Sequence, residues 1–375
     1  MSIPEDLAAG ATDERLKRLL AYCAADPGNA ELRADAAEQA LTSGAPRIAR
    51  HLLEESTEQL GNRDLGLLGV AQMQEKAFAQ AIGTFRKLIE SGAEDPAIRF
   101  NLAWSLAMEK DHAAALELLS AEVTGTLPQA AMLEVQLLHE KGEFDRAADA
   151  ARRHIIAFPD HPGLAAAVSV LALDIEDLDL ARSSAAKAPG HPDALATLGT
   201  LALGEQHIEE ASSLFDQALQ INEHVPRAWI GRGLARMLAK DERAPSDIDR
   251  GAGLFGDHIG SWIAAGWAHL ITGDVQSARE RFERALALDG NFAECHGSLA
   301  VIDVLEAKDA QATKRIAVAR RLDRQCFSAA FGQILLARRA GEEDSARAIF
   351  EKFLETPVNE RGDTAAAALT RMGLR

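Results

Sequence analysis

The chain has 375 residues, of which 47% are hydrophobic and 26% charged, and its formal net charge is −17. The large apolar fraction argues against a disordered polymer, because a chain of this length can bury an extensive core. The acidic balance disfavours generic binding to nucleic acid or to anionic membranes, since both repel a polyanion. A single Tyr beside abundant Ala and Leu disfavours an all-β fold.

The compartment is indicated by what the sequence lacks. The first twenty residues show no basic region followed by an apolar region, so we expect no secretory signal. No uncharged apolar run reaches the roughly 18 residues that a membrane span requires. Cys23, Cys295 and Cys326 are widely spaced and form no CxxC pair, which is typical of free thiols in a reducing compartment. We therefore expect a cytoplasmic protein without membrane insertion.

The first predicted element is a helix over Asp13–Ala25, ended by the turn Asp26-Pro27-Gly28. It is too short to form a hairpin of its own. We interpret this helix as the second helix of a half repeat, and residues 1–29 as the segment that caps the array beginning at residue 30.

From residue 30 onward the sequence repeats with a mean period of 33 residues. Asn62–Ala93, Pro192–Glu223 and Ile259–Gly290 each place Leu or Ala and then Gly at positions seven and eight, Ala at position twenty and Phe at position twenty-four. The units begin near residues 30, 62, 96, 128, 162, 192, 226, 259, 293 and 327. Nine of these ten units carry Ala at position twenty, which predicts an array of similar supersecondary units.

Each unit has room for two helices, here called A and B, joined by a short turn. Turn signals such as Ser43-Gly44, Lys141-Gly142 and Ala340-Gly341 lie where the chain must turn from helix A to helix B. Small residues at the crossing let the two axes approach to the short end of the usual spacing of about 8–10 Å. We expect large residues to fill the space beside the crossing, namely Phe85, Leu119, Phe215, Phe282 and Phe350.

The unit over about residues 226–258 is irregular, because Pro245 replaces the alanine and several glycines follow it. Proline is not tolerated deep inside a helix, and each glycine weakens a helix by roughly 1 kcal/mol relative to alanine. Two interpretations stay open here. One is a B helix that starts late, at Pro245, and the other is a hinge that changes the curvature of the array.

The last predicted element is a helix over Asp363–Arg371, which we assign as a C-terminal capping helix within residues 361–375. Between the two caps no Ser/Gly-rich linker interrupts the units. We therefore predict one continuous repeat domain over residues 30–360.

This pattern resembles the tetratricopeptide repeat family, whose 34-residue helix–turn–helix unit has the same alternation of small and large residues. The resemblance covers roughly residues 30–360. It implies an all-α solenoid, a right-handed superhelix of about ten helix–turn–helix repeats with capping helices. It also implies a concave groove lined by A helices, in which protein segments bind, although a shared fold does not determine a function.

The resemblance also nominates a groove face, because in this family the A helix faces the groove with its second, fifth, ninth, twelfth and thirteenth residues. These positions carry many apolar side chains. We expect the partner-binding residues to be Phe100, Trp104, Met108, Met132, Ile230, Leu234, Met237, Ile263, Trp267, Leu270, Val301 and Phe331. An apolar face of this extent is typical of an interface for an amphipathic helix or an extended peptide.

Three alternatives for this face stay open. The side chains pack against neighbouring A helices, or the register is wrong by one residue in some units, or the chain's own terminus or a second copy fills the groove. Charge adds a further asymmetry, since residues 301–375 hold 13 basic and 11 acidic side chains while residues 1–300 carry −19. This basic end is either a solvated helix face or a contact for an acidic partner or a second copy.

Motifs that carry chemistry are weak. Residues 251–256 match GxGxxG, but a helical stretch rather than a strand precedes them. Cys295 and His296 are adjacent and on a helix point about 100° apart, so they do not suit one metal ion. His161-Pro162 and His191-Pro192 are interpreted as turn residues before helix-starting prolines, and the acidic run 174–179 as a solvated turn between helices.

We therefore expect no catalytic residue, no metal and no cofactor. The favoured hypothesis is a non-enzymatic scaffold or adaptor that binds a partner helix or peptide in an apolar groove. The alternatives are a self-associating structural array, which would be a homo-oligomer, and an enzyme or the regulatory subunit of an enzyme complex.

Overall fold

A computed structural model describes residues 13–54 and 60–355, together with Thr364 and Ala366. These residues form 22 α-helices and no β-strand, which confirms the predicted all-α fold. The chain divides into two compact units, Met1–Ala181 and Arg182–Arg375. The predicted capping helix Asp363–Arg371 lies outside the described residues except for Thr364 and Ala366.

The helices of the first unit begin with α1, the predicted half repeat. Asp13 starts it as an N-cap, because its side chain accepts a hydrogen bond from the Leu16 N–H at 2.7 Å. The described helices of this unit are α1 (Glu14–Ala25), α2 (Ala30–Thr42), α3 (Pro46–Glu54), α4 (Asn62–Gln74), α5 (Phe78–Glu90), α6 (Pro96–Met108), α7 (His112–Leu118), α8 (Ala121–Thr126), α9 (Pro128–Glu140), α10 (Phe144–Ala157), α11 (Pro162–Asp174) and α12 (Leu178–Ala186), whose last residues belong to the second unit.

The second unit continues the alternation of A and B helices. Its described helices are α13 (Pro192–Gly204), α14 (Ile208–Ile221), α15 (Pro226–Leu238), α16 (Ala244–Phe255), α17 (Ile259–Ile271), α18 (Val275–Leu288), α19 (Ala293–Leu305), α20 (Asp309–Leu322), α21 (Phe327–Arg339) and α22 (Glu343–Leu354). Since three to five residues join consecutive helices here, neighbours pack as antiparallel hairpins.

The predicted period is confirmed. The ten A helices begin at residues 30, 62, 96, 128, 162, 192, 226, 259, 293 and 327. Each of them is 13 residues long. The same length recurs because every unit ends its A helix with the same turn.

That turn places the fifteenth residue of every unit in the left-handed region of backbone conformation. Four of these residues are glycine, which adopts positive φ without a steric penalty. The other six are side-chain-bearing residues that take the same conformation, with φ between 56° and 65°: Lys76, Lys110, Glu176, Gln206, Lys240 and Ala307. The turn geometry of the repeat is therefore imposed even where the local sequence does not favour it.

The crossing of each hairpin follows the small/large rule. The nine alanines at position twenty are at most 4% exposed. A Cβ atom built on Gly69 would lie 2.5 Å from the Phe85 ring, and one on Gly199 would lie 2.7 Å from the Phe215 ring. Both rings are fully buried, so the prediction holds at these crossings.

Two elements differ from a simple pair of helices. In the unit from residue 96, the B helix is split into α7 and α8 at Leu119-Ser120, because Ser120 caps a new helix by accepting from the Val123 N–H at 3.5 Å. In the irregular unit, α16 carries Pro245 in its first turn. The interpretation of a late-starting B helix is thus confirmed.

Candidate interaction surface

The predicted groove residues are distributed unevenly between core and surface. Of the twelve, nine are half-buried, Met108 and Phe331 are exposed, and Val301 is fully buried. The first of the three alternatives, packing against neighbouring helices, therefore applies to part of the face.

In the first unit the structure pairs Phe100 with Trp104, whose ring centroids are 6.2 Å apart. Both rings pack against the core formed around Leu102 and Leu106. Met132 belongs instead to the core of α9 to α11. The prediction thus identifies one aromatic pair here rather than a continuous face.

In α15 the predicted residues pack against α16 and α17. Ile230 faces Gly251 of α16, where an added Cβ would lie 2.5 Å from Ile230 Cγ1. Leu234 and Met237 pack against the core around Ile248 and Ala265. Since Gly251 is a contact point between two helices, residues 251–256 serve packing and helix termination and lack the strand that a dinucleotide site requires.

Trp267 is the centre of an aromatic cluster in the second unit. Its ring lies 5.7 Å from Phe282 in an edge arrangement, 6.4 Å from Phe327 and 6.1 Å from Phe331. Phe327 and Phe331 belong to α21, two repeats further along the chain. The predicted residues Ile263 and Leu270 of α17 pack on the same core as the tryptophan.

Val301 is a correction to the predicted face. It lies on α19 and is 0% exposed, so it is unavailable to a partner. α19 and α21 approach closely, because a Cβ on Gly297 would lie 2.6 Å from the Ala329 nitrogen and the Ser298 hydroxyl donates to the Ser328 hydroxyl at 3.1 Å. The pattern of groove positions along each A helix could not predict how closely these two helices approach.

Four further residues extend the surface and were missed from the sequence. Phe327, Ile334, Phe350 and Phe353 line an apolar pocket of about 150 Å³ together with Phe331. Phe327 is 43% and Phe350 44% exposed. The signal in the sequence was the concentration of four of the 13 phenylalanines within residues 327–353. We call Trp267, Phe327, Phe331, Ile334, Phe350 and Phe353 the aromatic surface.

Phe350 departs from its predicted role beside a helix crossing. It stands at position twenty-four of the last unit, where Phe85, Phe215 and Phe282 are fully buried. α22 is the last helix of residues 60–355, so no later helix of that range covers Phe350. Its ring is left on the surface as a consequence.

Two of the four tryptophans have a structural role instead. Trp229, Trp262 and His296 occupy the fourth position of three consecutive units. Each ring nitrogen is hydrogen-bonded to the backbone carbonyl six residues earlier, at 2.7, 2.8 and 2.9 Å. These bonds tie each A helix to the loop before it, and they explain His296 without a metal.

The remaining polar motifs also act locally. His161 and His191 are N-caps, since their side chains accept from the N–H groups of Leu164 and Asp193 at 3.0 and 3.3 Å. Burial raises the pKa of Cys295 to about 11 and that of Cys326 to about 12, so both thiols are protonated and weakly nucleophilic near neutral pH. Within residues 13–54 and 60–355, no cluster of His, Cys, Asp or Glu has metal-binding geometry.

Ion pairs in the second unit hold helices together. Asp303 is fully buried between Arg279 Nη2 at 2.7 Å and Arg315 Nε at 2.9 Å. Burial works against the charge on Arg279, but hydrogen bonds to Glu306 and Asp303 raise its pKa above the ordinary value. The arrangement joins α18, α19 and α20 and presents no reactive group to solvent.

Part of the chain matches a known protein family. Residues 67–131 match the family model of the tetratricopeptide repeat, so the predicted resemblance is confirmed. Among solved structures, the crystal structure of MamA protein is 16% identical, covering 44% of this chain and 90% of that chain with a TM-score of 0.36. The APC/C hetero-tetramer Cut9-Hcn1 is 14% identical, covering 98% and 92% with a TM-score of 0.42. Curated proteins yield no match.

One further property of the helices concerns membranes. None of those in the described ranges is long and apolar enough to cross a bilayer.

Proposed function

We propose that this protein is a scaffold or adaptor that binds an amphipathic helix of a partner protein on its aromatic surface. Proteins of the tetratricopeptide repeat family are generally interaction scaffolds. The observation that carries the proposal is the exposure of three neighbouring aromatic rings: Phe327 at 43%, Phe331 at 36% and Phe350 at 44%. Large exposed apolar patches of this kind usually mark interaction sites.

The shape of the aromatic surface favours a helical ligand. Trp267 supplies a large half-buried ring at one edge, and the pocket below Phe331 and Phe350 accepts an inserted side chain. An amphipathic helix offers apolar anchors at i, i+3, i+4 and i+7, and such anchors fill apolar pockets of this kind. Aromatic rings that already pack against each other lose little freedom on binding, so they serve well as anchoring residues.

The Phe100–Trp104 pair of the first unit, with Met108 beside it on α6, is proposed as a separate contact. Met108 is 44% exposed and ends α6, while Trp104 is half-buried. A thioether and two rings form an adaptable apolar patch.

The experiment is a peptide selection on the full chain. A displayed library of random 16-residue peptides is panned on the wild type, and the enriched peptides are measured by calorimetry on wild type, Phe331→Ala and Ile156→Ala. Ile156 is 80% exposed and lies on α10 in the other unit, so it is a matched loss of exposed apolar area. We expect Phe331→Ala to weaken binding by about 30-fold and Ile156→Ala to leave it unchanged. Absence of enrichment, or equal affinity for all three proteins, would contradict the proposal.

We also infer a cytoplasmic location, which the thiols support. Cys23, Cys295 and Cys326 are all free and buried, as expected in a reducing compartment. Fractionation of cells expressing the tagged chain tests this, and recovery in an oxidising compartment would contradict it.

A further inference from the structure

A basic pocket adjoins the aromatic surface at Phe353. Its volume is about 230 Å³, and its nine lining residues include Arg320, Arg324 and Lys352 but no carboxylate. Gln325 and Gln333 add polar groups. Phe353 lines both this pocket and the apolar one, so a cationic pocket and an aromatic pocket lie next to each other.

Arg320 near the end of α20 and Arg324 in the turn that follows it differ from nearby arginines in their ion pairing. Arg315 forms an ion pair with Asp303 at 2.9 Å, and Arg339 forms one with Asp309 at 3.4 Å. Arg320 Nη1 donates to the uncharged Gln333 Oε1 at 3.2 Å. Neither Arg320 nor Arg324 has an ion pair in the part of the chain that the structure describes.

Two carboxylates near the pocket are already used by the backbone. Asp323 accepts a hydrogen bond from the Gln325 N–H at 2.8 Å. Glu294 accepts from the Phe327 N–H at 2.7 Å and also from the Ser328 hydroxyl. These contacts hold the backbone of the turn before α21 and its first residues. Neither described carboxylate forms an ion pair with Arg320 or Arg324.

We propose that the partner segment is acidic, with a carboxylate in the basic pocket and an apolar side chain in the adjoining apolar pocket. This inference rests on the proposed function and specifies the charge of the partner. Guanidinium groups match carboxylates in shape and bind them by charge-assisted hydrogen bonds.

The charge distribution along the chain supports an acidic occupant. Residues 301–375 have a net charge of +2, while residues 1–300 carry −19. An acidic segment is therefore disfavoured next to most of the chain and favoured at the pocket region, which selects one docking place.

The test uses the same peptide selection with charge variants. The library is panned on the wild type, Arg324→Glu and Arg321→Glu. Arg321 is exposed near the end of α20, three residues before Arg324, and lines neither pocket. Its variant therefore makes the same change in net charge outside the pocket. We expect wild type and Arg321→Glu to enrich peptides rich in Asp and Glu beside Leu or Phe. Arg324→Glu should lose that acidic preference and bind the enriched peptides at least about tenfold more weakly.

The outcomes separate this inference from the proposed function. Enriched peptides that are neutral, yet weakened by Phe331→Ala, overturn the acidic partner and leave the binding surface in place. If Arg321→Glu weakens binding of the enriched peptides as much as Arg324→Glu does, the effect is one of net charge alone, and the acidic-partner proposal is again overturned. If nothing is enriched, the proposed function itself fails.

Two other occupants give distinct results. A dimer in light scattering that is lost in Arg324→Glu and kept in Arg321→Glu assigns the surface to a second copy and overturns the proposal. A photo-crosslinking residue at position 350 that attaches within one chain to residues 356–375 assigns it to the chain's own terminus, with the same consequence.

Discussion

Gly266 and Phe282 meet where α17 crosses α18, so closely that a Cβ atom built on the glycine would lie 2.4 Å from the phenyl ring. Phe282 is fully buried, and its ring cannot withdraw without displacing the core. The missing side chain of the glycine thereby sets the spacing of the two helices.

We predict that Gly266→Ala destabilises the second unit by about 1–3 kcal/mol through overpacking, although alanine gains about 1 kcal/mol in helix propensity. The measurement is the midpoint of urea unfolding followed by circular dichroism. Gly83→Ala is the control, because Gly83 lies inside α5 and an added Cβ would meet no heavy atom within 4 Å. That variant should be up to about 1 kcal/mol more stable. A Gly266→Ala protein as stable as the wild type would show that the two helices can move apart to accommodate a methyl group.

The turn between α19 and α20 offers a stabilising change. Ala307 has φ of 63°, a conformation that costs an L-residue about 1–2 kcal/mol and glycine very little. Glycine also has more conformational entropy in the unfolded chain, which offsets part of this gain. We therefore expect Ala307→Gly to raise the free energy of unfolding by about 0.5–1 kcal/mol. Gly341→Ala is the reverse change at the equivalent turn, where φ is 79° and a Cβ meets no neighbour within 4 Å, and it should destabilise. Thermal unfolding should give a higher midpoint for Ala307→Gly and a lower one for Gly341→Ala than for the wild type. Shifts in the same direction would disprove the argument.

The buried carboxylate of Asp303 should be sensitive to loss of its charge. Asp303→Asn leaves Arg279 and Arg315, whose side chains are 13% and 21% exposed, without their shared partner. We expect a loss of about 3 kcal/mol, the lower end for a broken buried pair, because both arginines reach some solvent. Glu38→Gln removes an exposed partner of Arg63 and should cost less than about 1 kcal/mol. Equal losses in urea unfolding would mean that burial of Asp303 is unimportant.

The thiols predict a pH dependence at the alkaline end. Burial raises the pKa of Cys295 to about 11 and that of Cys326 to about 12 from the ordinary value of 9.0. The unfolded chain therefore loses these protons first, so their contribution to stability is full below pH 9 and is lost as the pH rises towards 12. Urea midpoints at increasing pH should fall more steeply for the wild type than for the Cys295→Ala/Cys326→Ala double variant. Parallel curves would argue against this titration.

The aromatic surface should matter for binding more than for stability. Phe331 is 36% exposed while Phe282 is fully buried. Phe331→Ala should change the unfolding free energy by about 1 kcal/mol, against about 3–5 kcal/mol for Phe282→Ala. Urea unfolding compares the two directly. A large loss for Phe331→Ala would make it a core residue and remove it from the proposed surface.

The period, the starts of all ten A helices and the small/large pairs at the crossings were predictable from the sequence. They depend on contacts within one hairpin, such as Gly69 with Phe85, whose partners are 16 residues apart. Local turn chemistry was harder, since Lys76 and Ala307 adopt positive φ without a glycine signal. The split of the B helix at Leu119-Ser120 was also not foreseen, because a serine inside a helical pattern is compatible with both continuation and capping.

The surface itself was decided by tertiary structure. A fixed position pattern on the A helices treats Val301 and Trp267 alike, since both are the ninth residue of their units. Two relations between repeats decided the difference. α19 and α21 approach closely at Gly297, and Val301 on α19 is fully buried. Within the described ranges, no later helix covers Phe350. The sequence by itself thus determined the repeat and its hairpins, which rest on short-range packing. Only the packing between successive units decided which apolar side chains face solvent, because burial depends on neighbours that are far apart in the chain.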